Sequence, residues 1–106
     1  MEDFVKVAET KEIQDSHMKA IEVNGEKVCV ASVEGKYYAI GNVCTHMGGP
    51  LAQGKLEDYV VQCPWHGSRF DIRNGKVVRP PGMRPEPTYE VKVEEDNNIL
   101  IKKQKG

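Results

Sequence analysis

The amino-acid sequence predicts a small all-β protein, and three observations support this class. Short runs in which apolar residues alternate with polar ones, the period of a half-buried strand, recur along the chain from Val5 onward. An Asn-Gly pair separates two such runs twice, at 24–25 and at 74–75. Asn-Gly is the strongest short-range hairpin signal, because both turn residues take positive φ. Many short strands joined by hairpin turns are typical of a sandwich or barrel of antiparallel sheets.

The strand candidates follow one another in chain order, with turn residues between them. They are a run around Val5 and Val7, then 21–23, 28–30, 36–40, 59–63, 69–72, 76–79, 88–95 and 97–103. Glu34-Gly35 offers a further turn, and only 8–15, AETKEIQD, could form a short helix. Residues 79–87, RPPGMRPEP, are predicted to form a loop, because proline cannot donate to a sheet ladder.

Length and composition narrow the class of protein. The 106 residues suffice for one compact domain, expected over 1–106, and not for two. Fifteen basic residues nearly balance 16 acidic ones, which argues against a nucleic-acid or membrane-surface protein. The sequence contains no apolar run of about 18 residues and no signal-like start, so a cytoplasmic protein is expected. Cysteines in such a chain are more often ligands or free thiols than disulfides.

Two mixed pairs of metal-binding residues are the most informative feature of the sequence. Cys44 lies two positions before His46, and Cys63 lies three positions before His66. Structural zinc sites usually seat like ligands together, whereas each pair here offers one thiolate and one imidazole. In a Rieske [2Fe–2S] cluster, two histidines replace two cysteines on one of the irons. The spacing therefore favours an iron–sulfur centre with Cys44 and Cys63 on one iron and His46 and His66 on the other, and zinc is the alternative.

The loops that carry these pairs closely resemble those of the Rieske family. C-T-H-x-G followed by C-P-x-H-G-S is that family's pair of cluster-binding loops, and the chain length is similar to that of stand-alone Rieske-type ferredoxins. The residues that match are Cys44, Thr45, His46, Gly48, Cys63, Pro64, His66, Gly67 and Ser68. The resemblance implies small antiparallel sheets with both loops at one tip, and one Rieske-type [2Fe–2S] cluster per chain.

Differences from the respiratory branch of the family concern the disulfide and the hydrogen bonds to sulfur. Gly49 and Trp65 occupy the positions of that branch's disulfide cysteines, so no disulfide can form. Ser68 keeps a hydroxyl that the resemblance directs at a bridging sulfide, whereas Phe70 replaces a tyrosine that donates to a cysteine sulfur. Losing one such donor lowers the reduction potential.

The resemblance implies a one-electron carrier rather than an enzyme. Its expected partners are redox proteins, a reductase that supplies electrons and an oxygenase that receives them, with neither nucleic acid nor membrane involved. The chain is expected to act as a monomer. Two alternatives stay open: a zinc-stabilised binding module without a redox role, and a small subunit of a larger reductase.

Several residues near the loops are given supporting or neutral roles. Met47 and Trp65 are expected to shield the cluster from water, Trp65 with one face exposed, and Pro81 belongs to the proline-rich loop that frames the site. Cys29 is expected to be a buried strand residue and His17 a solvated one. The loop arginines are expected to be solvated charges rather than a docking patch, and they are Arg69, Arg73, Arg79 and Arg84.

Overall fold

The computed structural model describes residues 4–23, 25–44, 48–65, 67–79 and 84–103. These residues form ten strands in two antiparallel sheets. In chain order the strands are β1 (Val5–Glu9), β2 (Met18–Val23), β3 (Glu26–Val33), β4 (Lys36–Gly41), β5 (Lys55–Glu57), β6 (Val60–Gln62), β7 (Arg69–Asp71), β8 (Val77–Arg79), β9 (Thr88–Val93) and β10 (Asn98–Lys103). The larger sheet has the order β1-β10-β9-β4-β3-β2, and the smaller sheet has the order β5-β6-β7-β8. The predicted all-β class is confirmed.

Strand β3 lies between the two clusters of buried residues that form the hydrophobic core and contributes residues to both. Its residues alternate between the two faces of the sheet, and from Val28 to Val33 all of them are buried. On one face of β3, Val28 and Val30 pack in a buried cluster with Ile99 and Ile101 of β10, a strand of the same sheet. The other face of β3 packs against Val61 and Phe70 of the smaller sheet. Its contributing residues are Cys29, Ala31 and Val33.

Cys29 is buried in β3 as expected, with 1% of its surface exposed. Its thiol lies 3.7 Å from the sulfur of Met18. Burial, with a smaller contribution from the negative charge of Glu86, raises the pKa of Cys29 to about 12. This thiol is therefore protonated at physiological pH and serves as an apolar core group.

Of the predicted Asn-Gly and Glu-Gly turns, the one at 24–25 includes Asn24, which lies outside the described residues, and the other two behave differently. Glu34 and Gly35 both take positive φ, +53° and +81°, as a two-residue hairpin turn requires. The connection from β7 to β8 is longer than the predicted Asn-Gly turn and spans 72–76, and Gly75 takes positive φ there while Asn74 does not. The Asn74 side chain instead accepts a hydrogen bond from the Lys76 amide over 2.9 Å, which stabilises the wider loop.

The expected helix at 8–15 does not form. Only Thr10–Glu12 make a 3-10 turn, because Ala8 and Glu9 extend β1 and pair with Ile99 and Asn98. Cross-strand pairing, together with burial of Ala8 in the core, outweighs the helical propensity of this segment. Within the described ranges, no helix has the length and apolar character needed to cross a membrane.

Candidate metal centre

The first loop, 44–49, is closed by two backbone hydrogen bonds. The Cys44 amide donates to the Gly49 carbonyl over 2.8 Å, and the Gly48 amide donates to the Cys44 carbonyl over 2.8 Å. Gly48 takes φ +80°, a conformation that glycine adopts without strain. These bonds bring the two ends of the loop together, so that Cys44 lies at the base of the loop.

The second loop, 63–68, is closed in the same way. The Cys63 amide donates to the Ser68 carbonyl over 2.8 Å, and the Gly67 amide donates to the Cys63 carbonyl over 3.2 Å. Gly67 takes φ +79°, which matches the value at Gly48. The two loops are thus closed by equivalent hydrogen bonds, and in sequence each has cysteine at the first position and glycine at the fifth, with the histidine at the third position in one and at the fourth in the other.

Asn42 anchors the first loop to the fold. Its backbone carbonyl accepts from the Leu51 amide and its side-chain Oδ1 accepts from the Ala52 amide, both over 2.8 Å. Between them, Val43 and Pro50 form an isolated antiparallel bridge at the neck of the loop. Asn42 is 5% exposed, so these bonds are protected from competing water.

The two thiols lie where the loops meet. Cys44 and Cys63 are 3% and 2% exposed, and both belong to the buried cluster between the sheets. A Cβ atom on Gly49 of the first loop would lie 2.7 Å from the Cys63 sulfur of the second, so the loops abut directly. Neither cysteine is in a disulfide. Two buried thiols on adjoining loops fit the thiolate half of a metal cluster.

The two predicted histidine ligands, His46 and His66, lie outside the described residues. Three residues with predicted supporting or motif roles also lie outside them: Thr45, Met47 and Pro81. The ligand set of two cysteines and two histidines therefore stays a prediction, of which the structure places the two cysteines.

Three further side chains surround the thiols. Ser68 is fully buried at the end of the second loop, and Phe70 is fully buried in the same core cluster as Cys44 and Cys63. Trp65 is 57% exposed at the head of the second loop, with ring atoms 3.1 and 3.2 Å from the Cβ position at Gly49. Its indole thus covers the seam between the loops on one side and meets solvent on the other.

Glu86, which no sequence pattern singled out, anchors the end of the proline-rich segment. It is 4% exposed, and its amide donates to the Gly75 carbonyl over 2.8 Å. Its Oε1 lies 2.7 Å from the Cβ position at Gly41, and the Gly41 amide donates to the Pro87 carbonyl over 2.9 Å. In the sequence only Gly41 and Gly75 could indicate such close approaches. Nothing there distinguishes Glu86 from the exposed glutamates.

Comparison with known proteins finds relatives of matching length among bacterial ferredoxins. The chain is 33% identical to the ferredoxin component of the naphthalene 1,2-dioxygenase/salicylate 5-hydroxylase systems of a Ralstonia species, over 95% of this chain and 96% of that protein. It is also 33% identical to human apoptosis-inducing factor 3 over 85% of this chain, which spans only 15% of the length of that protein.

Solved structures show the same fold. The ferredoxin of carbazole 1,9a-dioxygenase from Nocardioides aromaticivorans IC177 superposes with a TM-score of 0.91 at 30% identity, covering 95% of this chain and 98% of that one. A chain of the complex of reduced oxygenase and oxidised ferredoxin in carbazole 1,9a-dioxygenase superposes with a TM-score of 0.90 at 26% identity, covering 97% of each.

These matches and the paired thiol loops define a class, that of the small iron–sulfur ferredoxins. The family model described as the Rieske [2Fe-2S] domain matches residues 3–104, and the chain belongs to this family. Its cofactor is accordingly a Rieske-type [2Fe–2S] cluster. The predictions of a Rieske-type ferredoxin, of its fold and of its cofactor are confirmed.

Proposed function

We propose that this chain carries single electrons from a reductase to the oxygenase component of a ring-hydroxylating system. The observation that carries the proposal is the pair of buried thiols, Cys44 and Cys63, on two identically closed loops that touch at Gly49. The Ralstonia relative of matching length supports it, because it is the ferredoxin component of such systems.

The proposed ligands are Cys44 and Cys63 on one iron and His46 and His66 on the other. When bound, the cluster supplies a centre that accepts and releases one electron. The chain's own residues exclude water from the thiols, fix the two loops at one spacing, and set the local polarity. The buried hydroxyl of Ser68 is proposed to stabilise the added negative charge through a hydrogen bond to sulfur.

Trp65 is proposed to mark the place where partners approach. More than half of its surface is exposed although it adjoins the buried thiols, and tryptophan is enriched at the cores of protein interfaces.

We further propose that residues 1–106 act as one domain and as a monomer in the cytoplasm. Cys29, Cys44 and Cys63 are in no disulfide, which fits a reducing compartment.

The test is a redox titration of the cluster-loaded protein, followed by mixing with partners. Dithionite should reduce it by one electron per chain. The reduced protein should then restore product formation to the reductase and oxygenase of a naphthalene 1,2-dioxygenase system from which the native ferredoxin has been omitted. A loaded cluster that cannot be cycled by one electron would overturn the proposal. Zinc in a colourless protein would establish the binding-module alternative, and tight co-purification with a large reductase would establish the subunit alternative.

A further inference from the structure

A row of basic side chains crosses the smaller sheet directly beside the second loop. The register pairs Lys55 with Gln62, Gln62 with Arg69, and Arg69 with Arg79, so one residue of each strand lies on a single line. Gln62 immediately precedes Cys63 and Arg69 immediately follows Ser68. This line is therefore the last rung of the smaller sheet before the second loop. We call its three cations, Lys55, Arg69 and Arg79, the basic row.

The basic row lies on the outer face of the smaller sheet. The next rung pairs Leu56 with Val61, Val61 with Phe70, and Phe70 with Val77. Val61 and Phe70 are fully buried against the larger sheet. Because successive residues of a strand point to opposite faces, Lys55, Gln62 and Arg69 point away from the core, and Lys55 is exposed and Arg69 half-buried. In β8 the register shift leaves Val77 and Arg79 two positions apart, so alternation does not apply there, and Arg79 is assigned to the outer face because it is exposed.

No carboxylate among the described residues neutralises the basic row. Arg69 donates from Nε to Oε1 of Gln62 over 3.0 Å, and no ion pair forms between the row and the described acidic residues. Arg73 differs, since it binds both oxygens of Asp71, at 3.0 Å and 2.8 Å, and stacks on Tyr59. Arg73 is therefore a structural arginine, and it does not belong to the row.

Such a row is unfavourable for the isolated chain. Arg69 and Arg79 face each other directly across the ladder, and like charges in that position destabilise a sheet. On the adjacent outer rung the acidic groups are Asp71, which is already paired with Arg73, and Glu57, which lies two positions after Lys55 on β5 and has no ion pair among the described residues. A negatively charged partner would relieve the repulsion by neutralising the row.

We infer that the basic row, with the adjoining Trp65, is a docking surface for the acidic surface of a redox protein. The inference deepens the proposed function and rests on it, since it assigns the charge of the partner's surface. Trp65 is an exposed indole in the loop that runs from Gln62 to Arg69, and tryptophan and arginine are both enriched among interface hot spots. Nucleic acid fits less well, because three cations on a chain of net charge −1 make no extended basic field.

The first test measures electron transfer from the reduced, cluster-loaded protein to hexacyanoferrate(III). One electron passes to this trianion and gives hexacyanoferrate(II), with no bond formed or broken. The polypeptide has a formal net charge of −1, and the electron on the reduced cluster adds one more negative charge. The protein should therefore repel the oxidant, so the rate should rise with added salt if only net charge matters. A basic row beside the loop predicts the reverse, a rate that is high at low ionic strength and falls with salt.

Two triple variants with equal net charge separate local from global effects. The variant Lys55→Gln/Arg69→Gln/Arg79→Gln removes the basic row, and the control Lys11→Gln/Lys36→Gln/Lys92→Gln removes three exposed cations elsewhere. Each moves the net charge from −1 by three units to −4. The row variant should lose about ten-fold in rate at low ionic strength, and its salt dependence should change sign. The control should keep the falling salt dependence; equal behaviour of the two variants would overturn the inference.

The second test is calorimetric binding of the loaded protein to poly-L-glutamate, with a single-stranded DNA 20-mer and phosphatidylglycerol vesicles as the competing polyanions. We expect poly-L-glutamate to bind most tightly, and the row variant to lose at least about ten-fold in affinity while the control keeps it. Tighter binding of DNA or vesicles, or no difference between the variants, would overturn the acidic-protein assignment. A row variant that still cycles one electron leaves the proposed function standing, so the two failures are distinguishable.

Discussion

Gly49 and Cys63 are in direct contact across the two loops. A Cβ atom at Gly49 would lie 2.7 Å from the Cys63 sulfur, closer than the 3.0 Å below which real Cβ atoms essentially never approach a neighbour. The same position would lie 3.1 Å from the nearer ring atom of Trp65. The first loop can therefore seat against the second only with glycine at this position.

Gly49→Ala should lower the amount of cluster that the protein retains. The added methyl must push the Cys63 thiol or the loop itself aside, and overpacking of this kind costs about 1–3 kcal/mol. Iron and acid-labile sulfide per chain, with the visible absorbance, measure the loss.

Gly35→Ala is the matched control. A Cβ there meets nothing within 4 Å, although its φ of +81° strains any side chain. This variant should lose stability and keep its cluster content for the fraction that folds. A Gly49→Ala protein with full cluster content would show that the loops do not meet as described.

Ser68→Ala should lower the reduction potential while the cluster stays intact. Ser68 is fully buried at the end of the second loop, so its hydroxyl acts where water cannot replace it. One hydrogen bond of about 1 kcal/mol corresponds to a shift of roughly 40 mV in a one-electron couple. Protein-film voltammetry measures the shift. Ser32→Ala removes another buried serine, in β3 away from the loops, and should leave the potential unchanged; equal potentials for Ser68→Ala and wild type would refute the proposed role.

Stability should decline as the pH rises from about 9 to about 12. Burial, followed by the hydrogen bond donated to Glu26, raises the pKa of Tyr89 to about 12, and burial raises that of Cys29 to about 12. Both groups lose protons more easily in the unfolded chain, where their ordinary pKa values are 10.0 and 9.0. Their contribution is therefore complete below pH 9 and is lost as the pH rises toward the folded values.

Urea unfolding at intervals across this range measures the decline. Tyr89→Phe should be less stable at pH 8, because it loses the bond to Glu26, and its stability should fall less steeply above pH 10. Cys29→Ala should flatten the curve from pH 9 upward. Slopes identical to that of wild type in both variants would contradict the assignment.

The sequence predicted what depends on local chemistry. Nine of the ten described strands were predicted, all but β5, and Glu34-Gly35 made the expected turn. The mixed spacing singled out Cys44 and Cys63, which the structure places in one buried cluster. These features depend on backbone preferences and on ligand types that can be read within a few residues.

Features that depend on strand pairing could not be predicted. Ala8 and Glu9 join a strand only because β10 is available beside them. The alignment of Arg69 with Arg79 depends on a register shift between β7 and β8, which no local pattern encodes. The burial of Glu86 likewise depends on close approaches to Gly41, 45 residues earlier in the chain, and to Gly75.

The most direct test of the central claim is EPR spectroscopy of the dithionite-reduced protein and of its His46→Cys and His66→Cys variants. Nitrogen ligation of the reducible iron predicts a wild-type spectrum with the low average g value typical of Rieske clusters. Each variant should lose that signal, because a thiolate then replaces an imidazole. An unchanged spectrum in either variant would show that the histidine is not a ligand, and a wild-type spectrum typical of four-cysteine clusters would contradict the assignment of this site as a Rieske centre.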